Sequence, residues 1–317
     1  MDLSLNNQLL LIGFNVLVVS LLLIWYAYGN QFVLTDQASS RSLHQGQALT
    51  GAGFFIFIPL SVFILIGYTH FLLAYLIGLM SVLGFLDDKY DLSFKLRLLI
   101  QAVIIMTCLW LLGHDFSALF VFLSLCMLWW INLFNFMDGA NGMAGLHAWV
   151  VAVFYVFILH TEPVAYFISL SLVFLLFVYL LFNMYLKKLF MGDSGSLPLA
   201  LVLGLLAMLA IQNNTLSYPQ VAVIHAVFIV DATLTLFYRL KKGDNITQAH
   251  ASHLYQRLIK AGRSHEQVSI WYASITALLC AVVYLTAALS LVVQYGILLM
   301  VYLLLLLIFM KYLSIGR

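Results

Sequence analysis

The chain has 317 residues, 64% of them hydrophobic and only 8% charged, with a formal net charge of +2 and a mean hydropathy of +1.07. That composition excludes a water-soluble domain folded around an interior core of its own and describes one polytopic helical domain over residues 1–317. It also argues against nucleic acid as a partner, because the few basic residues are spread over segments that abut a membrane, where anionic headgroups are their usual partners.

Eleven apolar runs follow one another along the chain, at 8–28, 53–67, 71–86, 98–113, 117–135, 143–160, 164–182, 195–212, 219–238, 268–289 and 293–312. A span needs about 20 apolar residues, so the 53–86 stretch is the least secure, and charge settles it by parity. Thirteen of the fourteen Lys and Arg fall in alternate gaps or the C-terminal tail, and the other, Lys311, lies at the end of the last run on the same side. Arg41 precedes the 53–86 stretch and Lys89, Lys95 and Arg97 follow it, so the positive-inside bias asks for an even number of crossings between them. The same reasoning makes 98–135 a hairpin around His114 and 268–312 a hairpin before Lys311 and Arg317. The expected fold is therefore all-α, with about eleven transmembrane helices, the N-terminus outside and the C-terminus in the cytosol. The first run lacks a basic segment before it and reads as a retained span. Cys108, Cys126 and Cys280 lie inside runs without metal-ligand or disulfide spacing and read as packing residues.

The polar gaps on the cytosolic side carry the chemistry. Asp87 and Asp88 open the gap that follows the third run. Adjacent carboxylates repel unless a cation or proton sits between them, so the pair suggests a magnesium or proton-transfer site, against a plain solvated loop. Asn132, Asn135 and Asp138 recur every three residues at the end of the fifth run and are followed by Gly139 and Gly142. Amides there point into the protein or a wet cleft rather than into lipid. Helix–helix hydrogen bonding is the bland alternative, and a ligand approached closely by glycine backbone is the sharper one.

Gly192-Asp193-Ser194-Gly195-Ser196 opens the eighth run, just after Lys187 and Lys188. A helix start of this kind offers backbone N–H groups and a carboxylate, suited to phosphate with its magnesium, or it is simply a capped helix. The longest such gap, 239–267, carries His250, His253 and Arg257. As a helix it would set His250 with His253, and His253 with Arg257, on common faces as donors to anionic oxygens, unless it is only an amphipathic surface helix. Zinc lacks a fourth ligand there. Asp231 is the only carboxylate well inside a run, which makes it a functional suspect, with Arg239 an equally good structural partner. His147 and His225 read as packing residues.

In this order, the clusters resemble the polyprenyl-phosphate N-acetylhexosamine-1-phosphate transferase family over about Asp36 to Gly262. Residues Asp36 to His44, including Arg41, and the turn Leu49 to Gly53 are similar to a cytosolic segment of that family. The family's prolines are missing here, and Ala52 replaces a glycine. The His250-Ala251-Ser252-His253 segment looks like the branch that initiates O-antigen or capsule glycans. The resemblance implies an enzyme of the bacterial inner membrane whose active site faces the cytosol. It would pass an N-acetylhexosamine 1-phosphate from a UDP-sugar to undecaprenyl or another polyprenyl phosphate, with magnesium or manganese as cofactor. It further implies Asp193 and Asp138 as metal ligands and Asp87 and Asp88 as the groups that deprotonate or position the lipid phosphate. Substrate binding would fall to Arg41, Asn132, Asn135, Asp138, His250, His253 and Arg257, and a homodimer is among the states it allows.

The residues lead to the same reaction, since two anionic reactants meeting at the membrane edge need magnesium and basic groups to offset their repulsion. Direct attack on the β-phosphorus, releasing UMP, is the expected route. An intramembrane aspartyl protease would need Tyr-Asp and Gly-x-Gly-Asp within spans, whereas Tyr90-Asp91 lies in a gap and residue 190 is Phe. A transporter or flippase would place its polar residues at the bilayer midplane rather than along one edge.

Overall fold

The computed structural model of the chain describes residues 3–29, 34–37, 47–68, 71–244 and 251–312. Arg41 and His250, and with them the side chains of the Asp36 to His44 segment, fall outside the described residues.

Each apolar run becomes helix: α1 (Leu5–Tyr28), α2 (Phe54–Gly67), α3 (Leu73–Tyr90), α4 (Phe94–Leu111), α5 (Ala118–Phe136), α6 (Met143–Ile158), α7 (Pro163–Leu180), α8 (Asp193–Gln212), α9 (Tyr218–Ile224), α10 (Ala226–Lys241), α12 (His265–Leu285) and α13 (Leu291–Tyr312). A short α11 (Leu254–Lys260) lies in the long polar gap. The starts follow from ordinary capping chemistry. Ser4, Ser93, Ser117 and Ser264 accept from amides in the first turns of α1, α4, α5 and α12, and Pro163 opens α7.

Among the described residues seven helices are long and apolar enough to cross a membrane, or eight if α9 and α10 form one broken span. This is the build of a polytopic membrane protein. The count is below the eleven runs for physical reasons. Helices α2 and α6 have only 14 and 16 residues, and α3 carries Asp87, Asp88 and Lys89 in its last turns. The ninth run is not one helix but two, meeting at 77°. No proline or glycine marks that break. His225 sits at it, its Nδ1 joined to His147 Nε2 (3.0 Å), and His147 Nδ1 in turn bonds the Thr276 hydroxyl (2.9 Å). The two histidines are buried, as their packing role required.

The fold is all-α, as expected, apart from one small hairpin. Strands β1 (Leu34–Gln37) and β2 (Gln47–Thr50) pair antiparallel, with Leu34 opposite Thr50. The Tyr26 hydroxyl pins this hairpin to α1, donating to the Thr50 carbonyl (2.5 Å) and accepting from the Leu34 amide (3.2 Å). The chain beyond β2 then runs beside residues 189–191. Phe190 N donates to Leu49 O (2.7 Å), Ala52 N to Phe190 O (3.1 Å) and Gly53 N to Met191 O (3.0 Å). That pairing fixes the loop leading into α8.

Glycine sets how closely the helices approach at this end. A methyl group on Gly53 would collide with the backbone of Gly195, and one on Gly84 with the backbone of Asp193 and Ser194. The ends of α2, α3 and α8 thus meet backbone to backbone.

Candidate active site

The π-helical turn Leu181–Tyr185 ends α7 and places Asn183 inward. Its Oδ1 accepts from the Gly142 amide (2.6 Å) and its Nδ2 donates to the Leu189 carbonyl (2.9 Å). One buried side chain therefore ties the loop after α5 to the loop before α8.

Asp193 opens α8, and the two amides expected to be free for phosphate are taken. The Asp193 and Ser194 N–H groups donate to Asp88 Oδ1 and Oδ2 at 2.9 and 3.1 Å. Asp88, in the last turn of α3, is thus the N-cap of another helix. The Ser81 hydroxyl reinforces the junction by donating to the Ser194 carbonyl (2.8 Å). Gly192 has φ +69, and a Cβ there would press on Asp88.

Asp87, beside it, accepts from the Leu92 amide (2.9 Å) and from Arg97 Nη1 (2.5 Å). The same Arg97 nitrogen donates to Asp193 Oδ2 (3.1 Å). One guanidinium nitrogen therefore bridges carboxylates from α3 and α8. Arg97 was missed by sequence reasoning, which used it only to orient the membrane. Its place one turn into a Ser-capped helix just after an Asp-Asp pair was the available signal.

Asn135 and Ser196 join the two remaining motifs, the Ser196 hydroxyl donating to Asn135 Oδ1 (2.9 Å). Asn132 lies deeper and donates to Gln101 Oε1 (2.7 Å) and to the Leu128 carbonyl (2.8 Å). Its own Oδ1 is buried without a partner among the described residues. Asp138 is half-buried in the turn after α5. Burial pushes its carboxyl well above the usual range, and the charge of Asp88 adds to this. The Asp88 carboxyl is itself pushed up to about 6 by burial, against the pull of the two amides, with Asp87 contributing repulsion.

His253 is not helical, as a shared face with Arg257 would need, but is the residue before α11. It is buried and stacks with the Phe136 ring (6.3 Å between centroids). Arg257 Nε donates to the Ser252 carbonyl (2.8 Å), and its guanidinium lies over Tyr238 (5.8 Å). The Tyr255 hydroxyl between them donates to the Phe136 carbonyl (3.1 Å). Lys187 pairs with Glu266 at 2.6 Å, joining the loop before α8 to α12.

Asp87 and Asp193 therefore share the Arg97 guanidinium, Asp88 holds the start of α8 beside them, and Asp138 lies near enough to feel the charge of Asp88, so that among the described residues acidic groups outnumber basic ones here. Their oxygens are the hard donors that magnesium prefers. Among the described residues no three His, Cys, Asp or Glu side chains are drawn tightly enough to ligate one ion as they stand. Arg97 occupies the position between Asp87 and Asp193. In charge and donor type the residues fit a divalent cation.

The glycosyl transferase family 4 model matches residues 69–211, which run from before α3 to the end of α8. A probable undecaprenyl-phosphate N-acetylglucosaminyl 1-phosphate transferase of Bacillus subtilis (strain 168) is 32% identical over 73% of this chain and 71% of its own length. The chain belongs to glycosyl transferase family 4. An undecaprenyl-phosphate alpha-N-acetylglucosaminyl 1-phosphate transferase of Yersinia pestis is 27% identical over 78% of this chain and 76% of its own. A phospho-N-acetylmuramoyl-pentapeptide-transferase of Leuconostoc citreum (strain KM20) is 30% identical over 66% and 67%. The matched span of this family 4 chain contains Asp87, Asp88, Arg97, Asn135, Asp138 and Asp193.

Proposed function

We propose that this family 4 protein transfers an N-acetylhexosamine 1-phosphate from a UDP-sugar to undecaprenyl or another polyprenyl phosphate, releasing UMP and starting a cell-envelope glycan. The observation that carries the reading is the cluster of Asp87, Asp88 and Asp193 around Arg97 at helix ends. It lies where a lipid phosphate held by the membrane can meet a soluble nucleotide. Asp193 and Asp138 would hold a magnesium ion, which would offer positive charge to offset repulsion between two anionic reactants. Arg97 holds Asp87 and Asp193 in place, and Asp88 orients the start of α8. Asn135 and Asp138 face the nucleotide, and His253 and Arg257 the diphosphate or sugar, with Arg41 and His250 joining from outside the described residues.

Direct attack is favoured because the lipid phosphate is already a competent nucleophile at neutral pH, and an aspartyl-phosphate would add a step without relieving a barrier. UMP release from UDP-N-acetylhexosamine by purified protein, dependent on added polyprenyl phosphate, tests the reaction; a transporter or a protease liberates none. Exchange of labelled UMP into the UDP-sugar should be absent when all polyprenyl phosphate is removed. Robust exchange without lipid, lost on changing Asp87 or Asp88, would establish the two-step route instead.

The reading places the protein in the bacterial inner membrane with eleven crossings and the site facing the cytosol. The fourteen basic residues, all in alternate gaps, the C-terminal tail or the very end of the last run, support it, since a Lys or Arg at a span's centre costs about 2.5–3.5 kcal/mol on insertion scales. In a background lacking Cys108, Cys126 and Cys280, single cysteines at Gln45, Tyr90 and Asp244 should resist an impermeant thiol reagent in intact cells. Cysteines at Asp115 and Thr215 should react. Equal labelling at Tyr90 and Asp115 would overturn the topology.

A further inference from the structure

Asp231 lies within α10, in an apolar run, with its side chain buried. A carboxylate there is tolerated only when its oxygens are saturated. Oδ1 accepts from the Leu254 amide (2.8 Å) and the Thr235 hydroxyl (3.2 Å), and Oδ2 from the Tyr255 amide (3.2 Å) and the Tyr272 hydroxyl (2.7 Å). His253 Nδ1 stands 3.7 Å from Oδ1. Leu254 and Tyr255 are the first two residues of α11. Asp231 is therefore a cap reaching the start of α11 from a different helix.

What α11 holds gives this cap a consequence. The Tyr255 hydroxyl donates to the Phe136 carbonyl (3.1 Å), two residues before Asp138. A methyl on Gly139 would collide with the same hydroxyl, so the turn carrying Asp138 closes against Tyr255. Gln256 Oε1 accepts from the His253 amide (3.1 Å), which settles the residue preceding the helix. A continuous set of contacts leads from Asp231 through Tyr255 to the turn between Asn135 and Gly142.

We propose that Asp231 is a positioning residue: it docks the His253–Arg257 segment so that Tyr255 clamps the Asp138 turn, and it thereby sets the affinity of the site for the nucleotide sugar. The proposal rests on the transferase reading above. Asp231 touches no reactant in this scheme and acts only through Tyr255 and His253. The acid cluster on α3 and α8 is held by separate contacts, so the lipid phosphate is bound independently of it.

The test uses the full-length protein in lipid nanodiscs, with UMP release measured against UDP-sugar at saturating polyprenyl phosphate and then the reverse. Asp231→Asn removes the charge and turns one acceptor into a donor. Tyr255→Phe removes only the hydroxyl. The KM for UDP-sugar should rise about tenfold in Asp231→Asn and about threefold or more in Tyr255→Phe, while the KM for the lipid stays within about twofold of wild type. Amide exchange over 254–260 should quicken in Asp231→Asn without change in α3 and α8. A UDP-sugar KM below that threefold rise in Tyr255→Phe overturns the proposal. So does a joint rise of both KM values with faster exchange in α3 and α8, which would mean general loosening. If Asp231→Asn does not fold, Tyr255→Phe decides alone. If the wild type releases no UMP with lipid present, the transferase reading fails, and the local exchange still decides whether Asp231 docks α11.

Discussion

Asp193→Asn is expected to lower turnover on the order of 100-fold or more, the loss typical of removing one preorganised electrostatic group from an active site. Asp193 stands where three features meet. It opens α8, its amide is held by Asp88, and its carboxylate is bridged to Asp87 by Arg97. The amide leaves the backbone hydrogen bond to Asp88 intact, so the loss is one of charge and not of folding. In parallel, a chelator should abolish UMP release and added magnesium or manganese should restore it. An Asn variant that keeps a tenth of wild-type activity would move the metal site away from Asp193.

Arg97→Gln is expected to slow turnover on the order of 10- to 100-fold, and Arg97→Lys to slow it less. A single nitrogen of Arg97 serves both carboxylates, so one ammonium can take over part of its work, whereas a neutral amide leaves Asp87 and Asp193 facing each other uncompensated. The ion pair is partly open, with 18% of the Arg97 side chain exposed, so solvent screening trims the cost below that of a fully buried pair. Binding of Mn²⁺, read by its paramagnetic signal in the absence of substrate, should tighten in Arg97→Gln because a competing cation has gone. Unchanged turnover in Arg97→Gln would remove Arg97 from the site.

The parts of this protein that were legible in its sequence are those written locally. Apolar runs between polar gaps became helices, because run length and composition are one-dimensional properties. The motifs around Asp87, Asn135, Asp193 and His253 came together at one end for the same reason, since each closes or opens a helix on that side. What could not be read depends on partners far away in the chain. Arg97 meets Asp193, and Asp88 caps α8, only once α3, α4 and α8 are packed. The break between α9 and α10 lies in an unbroken apolar run and is marked by His225 finding His147. The four donors around Asp231 were equally hidden, and the sequence offered Arg239 as its partner, which instead lies 3.9 Å from Asp244.

The glycine contacts of α2, α3 and α8 bear on how this machine can move. Where Gly53 faces Gly195 and Gly84 faces Asp193 and Ser194, no side chain intervenes that could change rotamer and let the helices slide. Asp88 and Asp193 therefore inherit their separation from the main chain itself, like two jaws of a fixed vice. Opening for entry of a nucleotide and closing over it must be accomplished by the other wall, where α10, α11 and the turn after α5 are joined through side chains. Trapping the enzyme in successive liganded states should show the α3–α8 junction superimposing unchanged, with all displacement on that opposite wall.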